Sequence, residues 1–314
     1  MESLLKRVDK SSEMLYNITN ITEGLNMYKI LVTGGAGFIG SNLAKALSDQ
    51  GNYVVSLDNY LSGSKANHHD DVHYIKGSTS DLWGIFGYQP NQFDYIFHLG
   101  EYARVEQSFG DYDVVMDYNY HSFPVVLDFA KHSNAKLIYS GSSTKFSVGE
   151  EGKMMSPYAY TKAQNTELLK AYAEWNDLEY TIVYFYNVYG DNEINNGDFA
   201  TVIGKFLKMV KGGATRLPIT SPGTQKRNFT HINDIVSGLI MAGFRGEGDG
   251  WGIGCDTQYE IKDLPKLMGV GSLMTPEKPG NRMAGELKTS KIKALGWECT
   301  HSLEDYIMEK LNEK

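Results

Sequence analysis

The chain has 314 residues, 41% of them hydrophobic and 22% charged, ordinary values for a globular protein with a substantial core in one large or two modest domains. Its formal net charge of −8 gives no sign of a surface built for nucleic acid or an anionic membrane, so recognition of a phosphorylated ligand must rest on local groups. No apolar run approaches the length of a membrane-crossing helix, the start lacks the pattern of a secretory signal, and only Cys255 and Cys299 are present, which argues against a disulfide framework and for a reducing cytoplasm.

Residues 1–26 are polar and mixed, with weak helical spacing from Leu4, Leu5, Val8, Met14 and Leu15. They read as an N-terminal extension to which no function is assigned. From Met27 the pattern changes. Lys29 to Val32 is a short run rich in β-branched residues, as in a buried parallel strand. It enters the glycines of Thr33-Gly34-Gly35-Ala36-Gly37, and then a helical pattern with Phe38, Ile39, Leu43, Ala44 and Leu47 on one side. Gly35, Gly37 and Gly40 satisfy G-x-G-x-x-G, and Gly34, Gly37 and Gly40 the looser G-x-x-G-x-x-G. Any tight strand-to-helix turn can use glycines, but strand, loop and helix in this order are what a dinucleotide-binding loop requires. Gly34 permits the tight turn, Gly37 keeps a Cβ away from a pyrophosphate, and Gly40 lets the helix pack closely on the strand.

Tyr53 to Asp58 is a second strand ending in a carboxylate about twenty residues past the loop. An acid there accepts hydrogen bonds from the adenosine ribose and repels a 2′-phosphate, so NAD is expected over NADP, with Lys65 nearby as the one contrary feature. Residues 72–75 read as the third strand, followed by a turn with Asp81-Leu82, and residues 93–100 as the fourth. Residues 111–131 have helical spacing that Pro124 should kink or break. Residues 135–140 are a fifth strand. Ser156 as N-cap and Pro157 in the first turn open a long helix to Trp175, and residues 180–185 form a sixth strand. The alternation predicts a doubly wound parallel sheet covered on both faces. Past Gly190 the pattern turns irregular and glycine-rich, so residues 27–186 read as a nucleotide-binding domain and 187–314 as mainly a smaller, mixed substrate lobe.

Three stretches carry chemistry at strand ends or helix starts, the edge where ligands of open α/β sheets bind. Tyr158 and Lys162 stand four apart, on one helix face, whereas Tyr160 does not share that face with Lys162. A phenol loses its proton near pH 10 in water, so its use as a base needs a nearby cation such as Lys162. Tyr-x-x-x-Lys is common, and the pair alone is equally an incidental feature of an amphipathic helix. Ser140-Gly141-Ser142-Ser143-Thr144 is either a capping turn or a source of one hydroxyl for a substrate oxygen. Gly223 to His231 contains Lys226 and Arg227, either a solvated charged loop or a site for bidentate phosphate recognition.

Taken together, the set resembles the extended short-chain dehydrogenase/reductase family, and more narrowly the nucleotide-sugar epimerases typified by UDP-glucose 4-epimerase. The resemblance covers residues 27–314 and rests on Val32 to Asn42, Leu57-Asp58-Asn59, His98-Leu99, Ser140 to Thr144, Pro157-Tyr158 with Lys162, Asn187-Val188-Tyr189-Gly190, and Gln225 to Phe229. It implies a Rossmann sheet with NAD held by Gly34, Gly37, Phe38, Ile39, Gly40, Asp58, Asn59, Asp81, Leu82, Asn119 and Lys162. Asp81 and Leu82 would touch the adenine. Ser142, with Ser143 as second choice, would be the catalytic hydroxyl beside Tyr158. Asn187 would hold a substrate phosphate, Arg227 the diphosphate, and Leu217 to Ile219 would lie along the nucleobase.

The sequence also departs from the family pattern. Thr144 occupies the position where dehydrating and decarboxylating relatives carry an acid, which argues for epimerisation without loss of atoms. Gly100-Glu101 replaces Ala-Ala, and Tyr184 stands where an Arg is usual. Lys278-Pro279-Gly280-Asn281 replaces the Arg before Gly-Asp, so Arg282 is assigned the second diphosphate contact. Ala284 and Gly285 fall in the region that limits substrate bulk, and N-acetylated sugars are expected to fit. The resulting expectation is a cytoplasmic, homodimeric enzyme that epimerises a nucleotide-diphosphate sugar, foremost a UDP-sugar at C4 through a 4-keto sugar. A reductase or dehydrogenase with net redox turnover, or a non-catalytic nucleotide-binding protein, are the rivals.

Overall fold

The computed structural model describes residues 27–143, 154–277 and 285–313. In chain order its main elements are β1 (Lys29–Thr33), α1 (Phe38–Asp49), β2 (Tyr53–Asp58), β3 (His73–Lys76), α2 (Leu82–Phe86), β4 (Tyr95–His98), α3 (Tyr112–Val115), a π-helical segment (Met116–His121), α4 (Phe123–His132), β5 (Lys136–Gly141), α5 (Pro157–Asn176), β6 (Tyr180–Phe185), β7 (Val188–Tyr189), α6 (Val202–Lys211), β8 (Arg216–Thr220), β9 (Lys226–Asn228), β10 (Thr230–His231), α7 (Ile232–Arg245), β11 (Gly248–Ile253), β12 (Gln258–Glu260), α8 (Leu264–Leu267), β13 (Gly271–Thr275), α9 (Ser290–Ala294) and α10 (Leu303–Asn312).

Seven strands, counted among the described residues, form one parallel sheet in the order β11-β6-β5-β4-β1-β2-β3. Alternation along β1 decides what covers it. Ile30 and Val32 pack with Leu43 and Leu47 of α1 and Ile235 and Leu239 of α7, whereas Leu31 joins Phe123, Leu127 and Leu169 of α4 and α5 on the other face. Both faces are thus apolar, as a parallel sheet requires. β2 and β4 flank β1, so the direction of chain progression reverses beside it and a crevice opens past Thr33 and His98. A further cluster, with Phe206, Leu217, Ile219, Phe229 and Ile307, is the core of the smaller lobe.

The six expected strands are present within one or two residues of their predicted limits. The seventh, β11, was not expected. Its sequence, Gly248 to Ile253, contains three glycines and little alternation, yet it pairs with β6 at the sheet edge with a register shift between Gly248 and Trp251. With α7, it returns the chain to the sheet well beyond residue 186, so the smaller lobe is not one continuous segment. Pro124 falls in the first turn of α4, where its missing N–H costs nothing, and the predicted 111–131 helix is divided just before it by the π-helical segment. Cys255 and Cys299 are joined in a disulfide, with Cα atoms 5.5 Å apart, contrary to the expectation from their small number. They are 44 residues apart in sequence and only the folded chain brings them together. Among the described residues no helix is long and apolar enough to cross a membrane.

In the smaller lobe, burial pushes the Glu193 carboxyl up to about 7, although Thr201 and Tyr306 donate hydrogen bonds that favour its ionised form. A raised folded-state value means that this group's contribution to stability is complete below the ordinary carboxyl range and is lost as pH rises through about 7. Glu193→Gln should therefore gain on the wild type by up to about 3 kcal/mol as pH rises across that interval, measured by denaturant unfolding at a series of pH values. A difference independent of pH would contradict it.

Candidate active site

A cavity of about 420 Å³ opens at the carboxyl edge of the sheet, where the strand order reverses. The glycine loop forms its floor. Gly34 has φ +69°, and a Cβ there would lie 2.9 Å from the Gly100 Cα, so two backbones touch where the loop after β1 meets the one after β4. At Gly40 a Cβ would come within 2.1 Å of the Gly34 carbonyl oxygen. Gly37 is different: a Cβ there would meet only that same oxygen, at 3.1 Å, and its open side faces the cavity. Phe38, Ile39 and Gly40 also line it, and the first amides of a helix have no intrahelical acceptor. This is a cradle that admits an anionic group to within backbone contact.

Asp58 closes one end. Its carboxylate is buried and accepts from the Ala36 N–H at 2.9 Å and the Tyr60 N–H at 2.7 Å, one bond to each oxygen. Each oxygen keeps a further lone pair for a diol. Asn59, Ser78 and Thr79 line the same end. The cradle and the acid therefore fit a dinucleotide with a free adenosine ribose.

Ser140 and Gly141 of β5 and Tyr158 and Lys162 of α5 form another wall. Ser156 caps α5, accepting from the Ala159 N–H at 3.1 Å, and sets the helical phase that puts Tyr158 and Lys162 on one face. Behind them is a buried polar cluster. The Lys162 ammonium donates to the Ser140 carbonyl at 2.6 Å and forms an ion pair with Glu101 Oε2. Glu101 also accepts from Asn165 Nδ2 at 2.9 Å and from the Tyr139 hydroxyl at 3.2 Å. Its carboxyl is pushed up by complete burial, but the Lys162 charge, with a smaller share from His98, brings it below the usual carboxylate range. Burial, with the Glu101 charge, holds the Tyr139 phenol far above its ordinary value.

Other predicted residues are spread more widely. Asn119 is buried in the π-helical segment, bonded to both backbone groups of Tyr102 and to Thr161, and so supports the cavity wall from behind. Asn187 lines the cavity and donates to the Asn228 carbonyl at 3.0 Å. Ser142, which is buried, and Ser143 follow Gly141 directly, while Thr144 lies outside the described residues. The Leu82 side chain is fully buried in the sheet core and Asp81 is exposed on the same turn, with Ser78 and Thr79 lining the cavity beside them. Leu217 and Ile219 are likewise fully buried, in the core of the smaller lobe, because β8 spends its apolar residues on packing. Arg227, on β9, is half-buried, and its guanidinium donates to the Lys226 carbonyl at 2.8 Å. Arg282, Lys278 and Ala284 lie outside the described residues.

Several lining residues had no sequence signal. Arg104, Tyr118, Phe199, Ala200 and Thr201 come from irregular loops or the π-helical segment. Glu101 was visible only as a departure from the Ala-Ala pattern. Its position three residues beyond His98, at the end of β4, is what brings it under Lys162.

This fold and this floor define a nucleotide-binding α/β enzyme with a tyrosine–lysine wall. The family model for the NAD dependent epimerase/dehydratase family matches residues 30–254, and the chain belongs to that family. The chain is 26% identical over 297 residues to the UDP-glucose 4-epimerase of Mycolicibacterium smegmatis, covering 86% of this chain and 93% of that one. Among solved structures it is similar to the UDP-glucose 4-epimerase of Thermotoga maritima with UDP-glucose, at TM-score 0.80 and 26% identity over 90% of this chain and 96% of that one. It is also similar to the UDP-N-acetylglucosamine 4-epimerase of Methanobrevibacter ruminantium in complex with UDP-N-acetylmuramic acid, at TM-score 0.81 and 25% identity over 91% of this chain and 98% of that one.

Gly40→Ala tests the floor. The new methyl must displace the Gly34 carbonyl, and with it the contact to Gly100. A loss of about 2–4 kcal/mol in unfolding free energy is expected, together with loss of retained NAD after gel filtration. A variant of wild-type stability that still retains NAD would contradict the packing.

Proposed function

We propose that the protein interconverts C4 epimers of a nucleotide-diphosphate sugar, foremost a UDP-sugar, through a 4-keto sugar. The observation that carries this reading is the placement of Tyr158 and Lys162 in the wall of the same cavity whose floor is the glycine cradle and whose end is Asp58. Bound NAD supplies a hydride acceptor and, on return, the donor. The chain's own residues supply the proton chemistry and the geometry. Tyr158, as phenolate, takes the proton of the C4 hydroxyl and returns it once the sugar face has changed. Lys162 lends the positive charge that makes a phenol acidic enough and hydrogen-bonds the nicotinamide-side ribose. Ser142, with Ser143 next to it, hydrogen-bonds the same sugar oxygen. Gly34, Gly37, Phe38, Ile39 and Gly40 hold the pyrophosphate, and Asp58 with Asn59 the adenosine ribose.

Substrate binding is assigned to Asn187, which lines the cavity, and to Arg227 and Arg282 as the diphosphate contacts. The smaller lobe is proposed to carry most of the nucleotide recognition, although the chain enters the sheet again between its parts. Thr144 in place of an acid leaves no carboxyl to shuttle a proton for elimination, which favours epimerisation over dehydration. A homodimer is proposed through α3, the π-helical segment and α5, whose neighbourhood exposes Tyr112, Tyr120 and Trp175. The cytoplasm, which holds NAD and nucleotide-sugars, is the proposed compartment.

Tyr158→Phe keeps the ring and removes the proton carrier. It should retain NAD and bind UDP with wild-type affinity, while turnover of UDP-sugars falls by at least about 10²-fold, followed by NMR of the epimer products. Retained turnover would sink the assignment of Tyr158 as the base.

A further inference from the structure

The buried cluster behind the cavity contains a charge that the proposed reaction does not use. Glu101 is buried on every side and its neighbours come from three elements. From α5 come Lys162, in an ion pair with Oε2, and Asn165, which donates to Oε1 at 2.9 Å. From β5 comes the Tyr139 hydroxyl at 3.2 Å, and from β4 the His98 ring, whose Nε2 lies 3.6 Å from Oε1, too far for a hydrogen bond. The π-helical segment contributes the Asn119 carbonyl, which accepts from Asn165 at 2.7 Å and locks that amide. Two more ionisable groups, Tyr158 and Arg104, face the cavity beside this cluster, and Tyr158 lies close enough to act on the Tyr139 phenol and on the Arg104 guanidinium. The Gly100 N–H donates to Thr33 Oγ1 at 3.0 Å, and that hydroxyl shares a hydrogen bond with His98 Nδ1 at 2.8 Å, which holds the ring beside Glu101.

Lys162 has three N–H donors. One goes to Glu101 and one to the Ser140 carbonyl at 2.6 Å, while the contact to Ser140 Oγ is a long 3.4 Å. That hydroxyl already donates to the His98 carbonyl. Only one ammonium proton is therefore left for a ligand in the cavity, and its direction is fixed by the other two.

We propose that Glu101 is a positioning residue: its carboxylate aims the Lys162 ammonium and, as a counter-charge, sets the pH range over which Tyr158 gives up and regains its proton. The inference rests on the proposed role of Tyr158 and Lys162. A negative charge makes every nearby proton harder to lose. Removing it lowers the pH at which Tyr158 ionises, and it also lowers the pH at which Lys162 is discharged. Both limbs of a pH–rate profile move in the same direction.

The test is Glu101→Gln, which keeps the shape and one acceptor oxygen but not the charge. The profile of kcat should slide to lower pH by about 1 unit or more, on both limbs. Independently of turnover, the near-ultraviolet tyrosinate absorbance that disappears on adding Tyr158→Phe should arise at lower pH in Glu101→Gln than in the wild type. Glu101→Asp keeps the charge, tests the same point if the Gln variant does not fold, and should leave the profile near its wild-type position. A profile and a Tyr158 titration that stay in place in Glu101→Gln, or a downward slide in Glu101→Asp as large as that expected for Gln, would overturn the inference. A wild-type protein without turnover on any nucleotide-sugar would instead defeat the functional reading beneath it, and the tyrosinate titration would still decide the role of Glu101.

Discussion

Two backbones meet without side chains between them at Gly34 and Gly100, and the cavity depends on that contact. The loop after β1 must turn at positive φ, and the loop after β4 must pass within van der Waals distance of it. Thr33 ties the two together, accepting from the Gly100 N–H at 3.0 Å while its hydroxyl reaches His98. With the loops this close, the first turn of α1 and the end of β4 open into the same space. The cradle for a pyrophosphate and the cluster around Glu101 are thus opposite ends of one constraint.

The second organising feature is charge in a dry place. A buried ion pair adds little net stability, because desolvation offsets most of the attraction, but removing one partner leaves the other uncompensated at about 3–5 kcal/mol. Such a pair is kept in register by its neighbours. Here Ser140, Asn165, Tyr139 and Asn119 do this through the bonds described, and the π-helical segment supplies a carbonyl that a regular helix would spend on itself. Tyr158 stands on the open side of the cluster. A field assembled before substrate arrives needs no reorganisation during reaction, which is how electrostatic preorganisation lowers a barrier.

Much of this was legible in the sequence where local rules suffice. β1, its glycines and α1 form a contiguous signal, and Ser156-Pro157 marks the start of α5 with a mechanism for each residue. That Tyr158 and Lys162 share a helix face follows from spacing; that this face lines the cavity does not. Long-range choices were not legible. β11 is strand because β6 offers an edge, not because Gly248 to Ile253 favours extension. Leu82 and Leu217 could have faced a ligand or a core, and the packing of neighbouring layers decided for the core. The Cys255–Cys299 pair and the meeting of Glu101 with Lys162, far apart in sequence, are tertiary facts, invisible to composition or period.

The central claim is that hydride leaves and returns within one catalytic cycle, so that the nucleotide-sugar changes configuration while the cofactor pool does not change. Incubating the purified protein with a UDP-sugar, while recording product configuration by NMR and reduced nicotinamide by its near-ultraviolet absorbance, tests this in one sample. The account predicts a mixture of C4 epimers and no steady growth of reduced nicotinamide. Reduced nicotinamide accumulating in proportion to an oxidised sugar would contradict it and establish net redox chemistry.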